Sequence, residues 1–422
     1  MATGGNRVAV KDRVGGAARA AKLEGVGKAW SRLPQRGRSL GLAALLLGLV
    51  ALYPIYVESL PTSVPVIREF PSVSTMVTVL LFTMMAVGLN IVVGYAGLLD
   101  LGYVAFYAVG AYTAGWLASG QFQQVNIHFG SVGISRDAGG IHLNIWLVLL
   151  IAGIITGVAG ILIGLPTLRL RGDYLAIVTL GFGEIIPQFV RNADNLGGFD
   201  LTHGTFGISP IDSPGFGEKL NEALGLPINF QQSFDKQDLF FWSALGLLLI
   251  TIFCSVRLRD SRLGRAWIAI REDETAAAAM GVPLMRTKTW AYALGAFFGG
   301  VAGALVASFN SGAFPSQFFF NFSIFLLCMV VLGGMGSVWG VVVAGIILSY
   351  LNQEGLSNIG SWLNASTPLD FEVAKYQFGI YGIIIVLMML FRPVGLIPEG
   401  RRKQEIQEGG VAKDTLYGDR HA

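Results

Sequence analysis

The chain has 422 residues, 53% of them hydrophobic and 14% charged, with a net charge of +3 and 56 glycines; its mean hydropathy is +0.59. Soluble domains carry about 25% charged residues. This composition therefore excludes an ordinary soluble domain and points to a chain that crosses a membrane repeatedly.

Residues 1–38 form a basic head, with Arg7, Lys11, Arg13, Arg19, Lys22, Lys28, Arg32, Arg36 and Arg38 against Asp12 and Glu24. An apolar run at 40–57 follows. A cleaved signal peptide is the competing reading, but the head is long for one and no small-x-small site closes the run. The expectation is a cytoplasmic tail and an uncleaved first span.

Apolar windows predict spans near 39–57, 75–95, 98–119, 145–165, 174–190, 239–256 and 289–309. A longer apolar region covers 322–351, and a last span lies near 376–391. A helix needs about 20 residues to cross the hydrocarbon, so some of these windows are short. Cytoplasmic loops carry the excess of Lys and Arg. The head, the link 166–173 with Arg169 and Arg171, the stretch 257–288 and the tail with Arg392, Arg401, Arg402 and Lys403 fit that side. Segment 191–238 has three Lys/Arg against seven Asp/Glu, and 310–321 has no charge, which suits the outside.

Seven crossings from the inside leave the chain outside after residue 309. One crossing through 322–351 would strand the basic tail outside; two return it. Leu332-Gly333-Gly334-Met335-Gly336-Ser337 offers the break, because glycine at that density interrupts a helix. The expected fold is an all-α, polytopic transmembrane helical bundle of about ten crossings with short discontinuous helices and both termini cytoplasmic. Its parts are a tail at 1–38, a membrane domain at 39–398 and a second tail at 399–422. One kinked helix over 322–351 is the alternative. A similar break, Val93-Gly94-Tyr95-Ala96-Gly97, sits earlier in the same orientation. Paired interrupted helices mark substrate paths in transporters, so Gly97, Gly102, Gly334 and Gly336 are candidates for that path.

The stretch 257–288 is a charged island between apolar runs, with Arg257, Arg259, Arg262, Arg265, Arg271, Arg286 and Lys288 against Asp260, Glu272, Asp273 and Glu274. Asp260 or Ser261 is placed to cap a helix. Leu263, Trp267 and Ile270 form one apolar stripe. The run 276–279 is all alanine, and Gly281 and Pro283 end the helix. A thin alanine helix fits a groove on a partner; an ordinary surface connector is the bland reading. The candidate contact residues are Arg271, Glu272, Asp273, Glu274, Ala277 and Gly281, with 257–265 as a membrane-surface anchor.

Ionisable groups at membrane depth are costly and mark function or interhelical hydrogen bonding. Asp100 and Glu184 are the two, Glu184 in a span kinked by Pro187; both are candidates for the substrate path, with structural hydrogen bonding between helices as the alternative. Asp173 stands beside Arg169 and Arg171, where an ion pair is expected. His128, His142 and His203 fall in loops and His421 in the tail, so no histidine proton relay is supported. Cys254 and Cys328 each fall in a span, which leaves a disulfide framework without support. No GxxxxGK[ST], HExxH, CxxC or GxSxG occurs, so neither phosphate cradling by that loop nor covalent catalysis is written here. Catalytic residues, cofactors and metals are not expected.

Four blocks carry a family resemblance. They are GLNIVVG at 88–94 running through AGLLDLG at 96–102 to Tyr112, LRLRGDYLAIVTLGFGE at 168–184, GRAW at 264–267 with REDE at 271–274, and VLGGMGS at 331–337 backed by RPVGLIP at 392–398. On these the chain resembles the permease subunit of branched-chain amino acid ABC importers; related permeases import urea or short amides. The resemblance implies an inner-membrane importer with a second homologous permease, cytoplasmic ATPase subunits and an extracytoplasmic solute-binding protein, and no nucleic acid. It also implies that a short cytoplasmic helix docks into the ATPase. Glu274-Thr275-Ala276-Ala277-Ala278-Ala279-Met280-Gly281 fits that pattern loosely. The loop after Asn192 is longer than usual and would face the binding protein. An ion-coupled secondary transporter would need more membrane-embedded acids than Asp100 and Glu184, and a membrane enzyme would need a catalytic constellation.

Overall fold

The computed structural model describes residues 47–59, 70–129, 139–170, 172–214, 233–366, 373–392 and 394–397. The basic head, the tail at 399–422, Arg171 and residues 215–232 of the acidic loop lie outside the described residues. The chain divides into two units, Met1–Arg68 and Glu69–Ala422. In the first, residues 47–51 are helical and helix α1 covers Tyr53–Ser59, overlapping the first predicted span.

The second unit opens with α2, Val73–Asn90. Ser72 holds extended backbone, and its Oγ accepts the Thr75 N–H at 3.2 Å, which satisfies one of the free donors of the first turn. No charge interrupts α2, and the apolar run continues through one π-helical turn at Ile91–Tyr95. Residues 97–103 are not helical. Gly97 turns the chain at φ +69°, and Asp100 Oδ1 accepts the Gly102 N–H at 2.9 Å, a local bond that competes with the helix ladder. Helix α3 therefore spans Val104–Leu117, starting later than the span predicted from residue 98.

Three short strands follow: β1 Ala118–Ser119, β2 Asn126–Phe129 and β3 Gly140–Leu143. They form one sheet in the order β1–β3–β2, with β1 antiparallel and β2 parallel to β3. The all-α expectation missed this sheet because strands this short leave no hydrophobic period.

The remaining helices are α4 Ile145–Thr167, α5 Asp173–Asn192, α6 Ser233–Asp260, α7 Arg262–Glu272, α8 Glu274–Ala279, α9 Leu284–Phe309, α10 Phe320–Gly333, α11 Val338–Tyr350, α12 Leu356–Ser366 and α13 Gln377–Phe391. Among the described residues, six helical segments are long and apolar enough to cross a bilayer: Val73–Tyr95, Ile145–Thr167, Asp173–Asn192, Gln237–Asp260, Leu284–Phe309 and Pro315–Gly333; α3 and α13 are apolar but shorter. The expected ion pair at the start of α5 is not formed with Arg169; Asp173 instead stands exposed in the first turn, where the helix dipole favours an acid.

Region 322–351 is two helices. Gly334 at φ +105° and Gly336 at φ +91° make the break, and α10 and α11 fold back on each other there. A Cβ on Gly340 would lie 2.0 Å from the Gly333 carbonyl oxygen. One continuous kinked helix is excluded.

Helix α9 is the centre of the packing, buried along most of its length between Ala291 and Ser308. Its glycines let neighbours approach backbone to backbone. A Cβ on Gly110 of α3 would meet the Gly300 carbonyl oxygen at 2.2 Å, while Thr156 of α4 occupies the other side of Gly300. Without a hydrophobic drive between helices in lipid, such small-residue contacts supply the attraction. Helices α4, α5 and α13 turn apolar side chains outward, among them Leu162, Ile177, Ile185, Val386 and Leu390.

Candidate functional site

The charged island folds as two helices rather than one. Helix α6 runs on through Asp260, so Arg257 and Arg259 belong to its last turn. Ser261 is the cap of α7: its Oγ accepts the Gly264 N–H at 3.2 Å. Trp267 is fully buried, and its indole N–H donates to the Thr287 carbonyl oxygen at 2.7 Å, tying α7 to the first turn of α9. Ile270 is buried beside it, while Leu263 at the end of the predicted stripe is only half-buried.

Asp273 splits the island. It adopts extended backbone, and its Oδ1 accepts the N–H groups of Thr275 at 2.8 Å and Ala276 at 2.9 Å, capping α8. At the other end Gly281 takes φ +86°. Its N–H donates to Ala278 O at 2.9 Å, and the Val282 N–H donates to Ala277 O at 3.1 Å. This pair of bonds is a Schellman stop, which needs a residue free to adopt the left-handed region.

The candidate contact residues divide between two jobs. Glu274 pairs with Lys288 at 2.8 Å, a lysine whose side chain is 5% exposed, and Ala277 is buried. Arg271 turns inward. Its Nη1 donates to the Gly94 carbonyl oxygen, and its stem lies against Gly97, where a Cβ would come within 2.7 Å of Arg271 Cγ. Glu272, Asp273 and Gly281 are exposed, beside Thr275, Ala276, Ala278, Ala279 and Met280. Met280, inside the 274–281 docking pattern, is 86% exposed at the tip. The pairing of Lys288 with Glu274 was not foreseen, since no sequence signal marks a pair 14 residues apart (288 minus 274) across a turn.

The two glycine breaks meet. Asn90 Oδ1 accepts the Gly336 N–H at 2.9 Å, and a Cβ on Gly94 would lie 2.0 Å from Asn90 Oδ1 and 2.6 Å from Gly336 N. The 394–397 segment closes the far side. The Leu396 N–H donates to Leu332 O at 2.9 Å and the Ile397 N–H to Gly333 O at 3.3 Å. Gly334 lies against Gly395, within 2.4 Å of where a Gly395 Cβ would point. The island, both breaks and the C-terminal motif thus form one junction.

Asp100 and Gly102 sit beside it, enclosed. Asp100 is 2% exposed, and its Oδ2 has no hydrogen-bond partner. The Leu101 N–H donates to Thr179 Oγ1 at 3.1 Å, and a Cβ on Gly102 would lie 2.1 Å from Thr179 O. Asp100, Thr179 and Tyr292 border a cavity of about 10 Å³, the room of one water molecule. Glu184 is not brought to Asp100. Thr179 and Gly183 of α5 face the 101–102 segment, whereas Glu184 stands exposed on the outer side of that helix.

At the other end of the bundle, His128 and His142 stack with ring centroids 5.0 Å apart, and His142 Nδ1 shares a 2.8 Å hydrogen bond with Asp212 Oδ2. Burial raises the Asp212 pKa, and the bond from His142 opposes the rise. This cluster fastens the sheet to the acidic loop, since the Asp212 N–H also donates to Ala118 O at 2.8 Å.

A family model described as "Branched-chain amino acid transport system / permease component" matches residues 72–390, from the cap of α2 to the end of α13. The chain belongs to this family. LivM of Escherichia coli (strain K12), a high-affinity branched-chain amino acid transport system permease protein, is 37% identical over 342 residues, 79% of this chain and 71% of the relative. LivM of Salmonella typhimurium is 36% identical over 348 residues, 80% and 72% of the two chains. LivH of Escherichia coli, also a high-affinity branched-chain amino acid permease protein, is 28% identical over 171 residues, 40% of this chain and 50% of the relative. No solved structure matches. This branched-chain amino acid permease is a multi-pass membrane protein and the permease subunit of an ABC importer. Members of its family are transport subunits and not enzymes themselves.

Proposed function

We propose that this permease forms a translocation path with a second, homologous permease and is driven by ATP hydrolysis on cytoplasmic partner chains. An extracytoplasmic solute-binding protein delivers the amino acid. The setting is the bacterial inner membrane, with about ten crossings and both termini cytoplasmic, in keeping with the distribution of Lys and Arg. The resemblance to both LivM and LivH supports the second permease. The lack of a phosphate-binding loop in the sequence supports separate ATPases.

The observation that carries this reading is the exposed surface of Ala276, Ala278, Ala279 and Met280, presented by a helix capped at both ends. It offers an ATPase groove a smooth apolar knob, with Glu272 and Asp273 beside it to fix register. Docked there, an ATPase that moves would displace α7 and α8 together. Arg271 would pass the displacement to the Gly94 break and Asn90 to Gly336. Gly97, Asp100, Gly102, Gly334 and Gly336 would set the pivot of the path, and Glu184 would face the second permease or the path itself, since a carboxylate left in lipid is costly.

Met280→Arg tests this without touching a buried contact. The chain should insert normally but lose the ATPase on co-purification and lose leucine uptake into vesicles. Normal uptake with the ATPase still bound would remove the docking assignment.

A further inference from the structure

Helices α2 and α11, with the turns that flank α11, run antiparallel and meet at three levels. At the junction end, Asn90 Oδ1 accepts the Gly336 N–H at 2.9 Å. In the middle, Gly345 lies against Thr83: a Cβ there would meet Thr83 Oγ1 at 2.8 Å and Thr83 Cα at 3.2 Å. At the far end, one oxygen of Glu354 accepts three bonds from the start of α2. They come from the Ser72 N–H at 3.3 Å, the Ser72 hydroxyl at 3.2 Å and the Thr75 hydroxyl. The steps between levels match. Asn90 to Thr83 is 7 residues (90 minus 83) and Gly336 to Gly345 is 9 (345 minus 336). Thr83 to Thr75 is 8 residues (83 minus 75) and Gly345 to Glu354 is 9 (354 minus 345). The two segments therefore keep register over 15 residues of α2 (90 minus 75), or about 22 Å at 1.5 Å per residue.

Packing alone does not call for these bonds. Neither α2 nor α11 carries a charge, so the acid that joins them is supplied from outside both helices. Glu354 is half-buried and stands at the N-terminus of α2, where the first-turn donors are free and the helix dipole favours an acid. A π-helical turn at Leu351–Gly355 brings it there; such turns are frequent at functional sites. In the same turn Asn352 Oδ1 accepts the Tyr381 hydroxyl of α13 at 2.9 Å, which holds the turn from its other side. At the junction end α2 runs into its own π turn, Ile91–Tyr95, where Arg271 Nη1 donates to the Gly94 carbonyl oxygen. The matched stretch is thus bounded by a π turn at each end, one on α2 and one after α11.

We propose that α2 and α11 move as one rigid lever during transport, and that Glu354 is the positioning residue that clamps its far end. The reading rests on the coupling route through Arg271 and Gly94 given above and carries it to the opposite end of the bundle. A displacement entering at Gly94 pulls α2 directly and α11 through Asn90. With both ends joined, neither helix can slide on the other, so the displacement arrives at Ser72 and at the 351–355 turn together. Without the Glu354 clamp, the far ends are free to part, and part of each stroke is lost as slippage between the helices. ATP is then spent with less amino acid moved.

The test uses vesicles carrying the full importer, with Cys254 and Cys328 replaced by alanine. Thr75→Cys and Glu354→Cys together remove the clamp and leave two thiols in its place. Leucine uptake and ATP hydrolysis are measured before and after a short bifunctional thiosulfonate. Before bridging, the ATPase should stay bound and active while leucine moved per ATP falls about ten-fold, the effect of losing one hydrogen bond to a charged group. Bridging should restore the ratio, a reductant should abolish the rescue, and the reagent should not change Thr75→Cys alone. A purely structural Glu354 would lower the amount of assembled importer but not the ratio. Ser72→Ala with Thr75→Val, which removes both hydroxyl donors and keeps Glu354, gives the same readout if the cysteine pair does not assemble. Docking is read separately by ATPase co-purification with Met280→Arg, so failure there and failure here are distinguishable. With the ATPase bound, an unchanged ratio in the variants overturns the lever, and so does bridging that stops uptake, because the two helices would then have to part.

Discussion

Gly110→Ala adds one methyl group where α3 crosses α9. The new Cβ would lie 2.2 Å from the Gly300 carbonyl oxygen and 2.5 Å from Gly300 Cα, against an ordinary contact distance of 3.4 Å or more. The helices must therefore separate by roughly 1.2 Å (3.4 minus 2.2), because both partners are backbone and neither can rotate aside. Overpacking of this kind costs about 1–3 kcal/mol, more when nothing yields. The gain in helix propensity from Gly to Ala returns at most about 1 kcal/mol, so the net loss is about 2 kcal/mol at the upper end. Gly246→Ala in α6 is the control. Nothing lies within 4 Å of its added Cβ, so only the propensity gain remains. Thermal unfolding of the purified full chain carrying Cys254→Ala, followed by a thiol-reactive dye on Cys328, reads both, since Cys328 is 2% exposed until the bundle opens. Gly110→Ala should unfold at a lower temperature than wild type and Gly246→Ala at an equal or higher one. Equal midpoints for the two variants would refute the argument that α9 is packed backbone to backbone.

Trp267→Phe keeps an aromatic ring but removes the N–H that serves Thr287 O. Thr287 O keeps its bond within α9, so the loss is that of one hydrogen bond, about 0.5–1.5 kcal/mol. The island should become more sensitive to limited proteolysis while the rest of the chain is cut as before; an unchanged digest would show that the bond does not anchor it. For topology, Asn358→Cys on the exposed face of α12 should react with an impermeant maleimide from outside. Labelling from the cytoplasmic side alone would overturn two crossings in 320–350.

Much of the site was legible in particular residues, and what was not has a common cause. The helical class follows from long uncharged runs, and the split between α10 and α11 follows from three glycines in four positions, because the cost of glycine in a helix is local. Ser261 as a cap and Gly281 as a stop were announced by the sequence, since caps and stops are set by neighbours, whereas the second cap at Asp273, which splits the island into two helices, was not. The residues that face inward were beyond this reading. Arg271 was taken with the partner-facing set and instead reaches Gly94, 177 positions away in sequence. Glu274 turns to Lys288, and Asp100 is sealed against α5 rather than open to a path.

By itself, then, the sequence determined that this is a helical membrane permease, that its chain is broken by the glycines at 333–336, and that 257–288 is a charged segment between apolar runs. Only the tertiary structure decided that the two glycine breaks, the 394–397 segment and Arg271 meet at one junction, and that Glu354 ties the turn after α11 to the start of α2. The reason is physical. Helix formation, capping and membrane residence are governed by groups a few residues apart, whereas a missing Cβ reveals its purpose only when another backbone occupies the space.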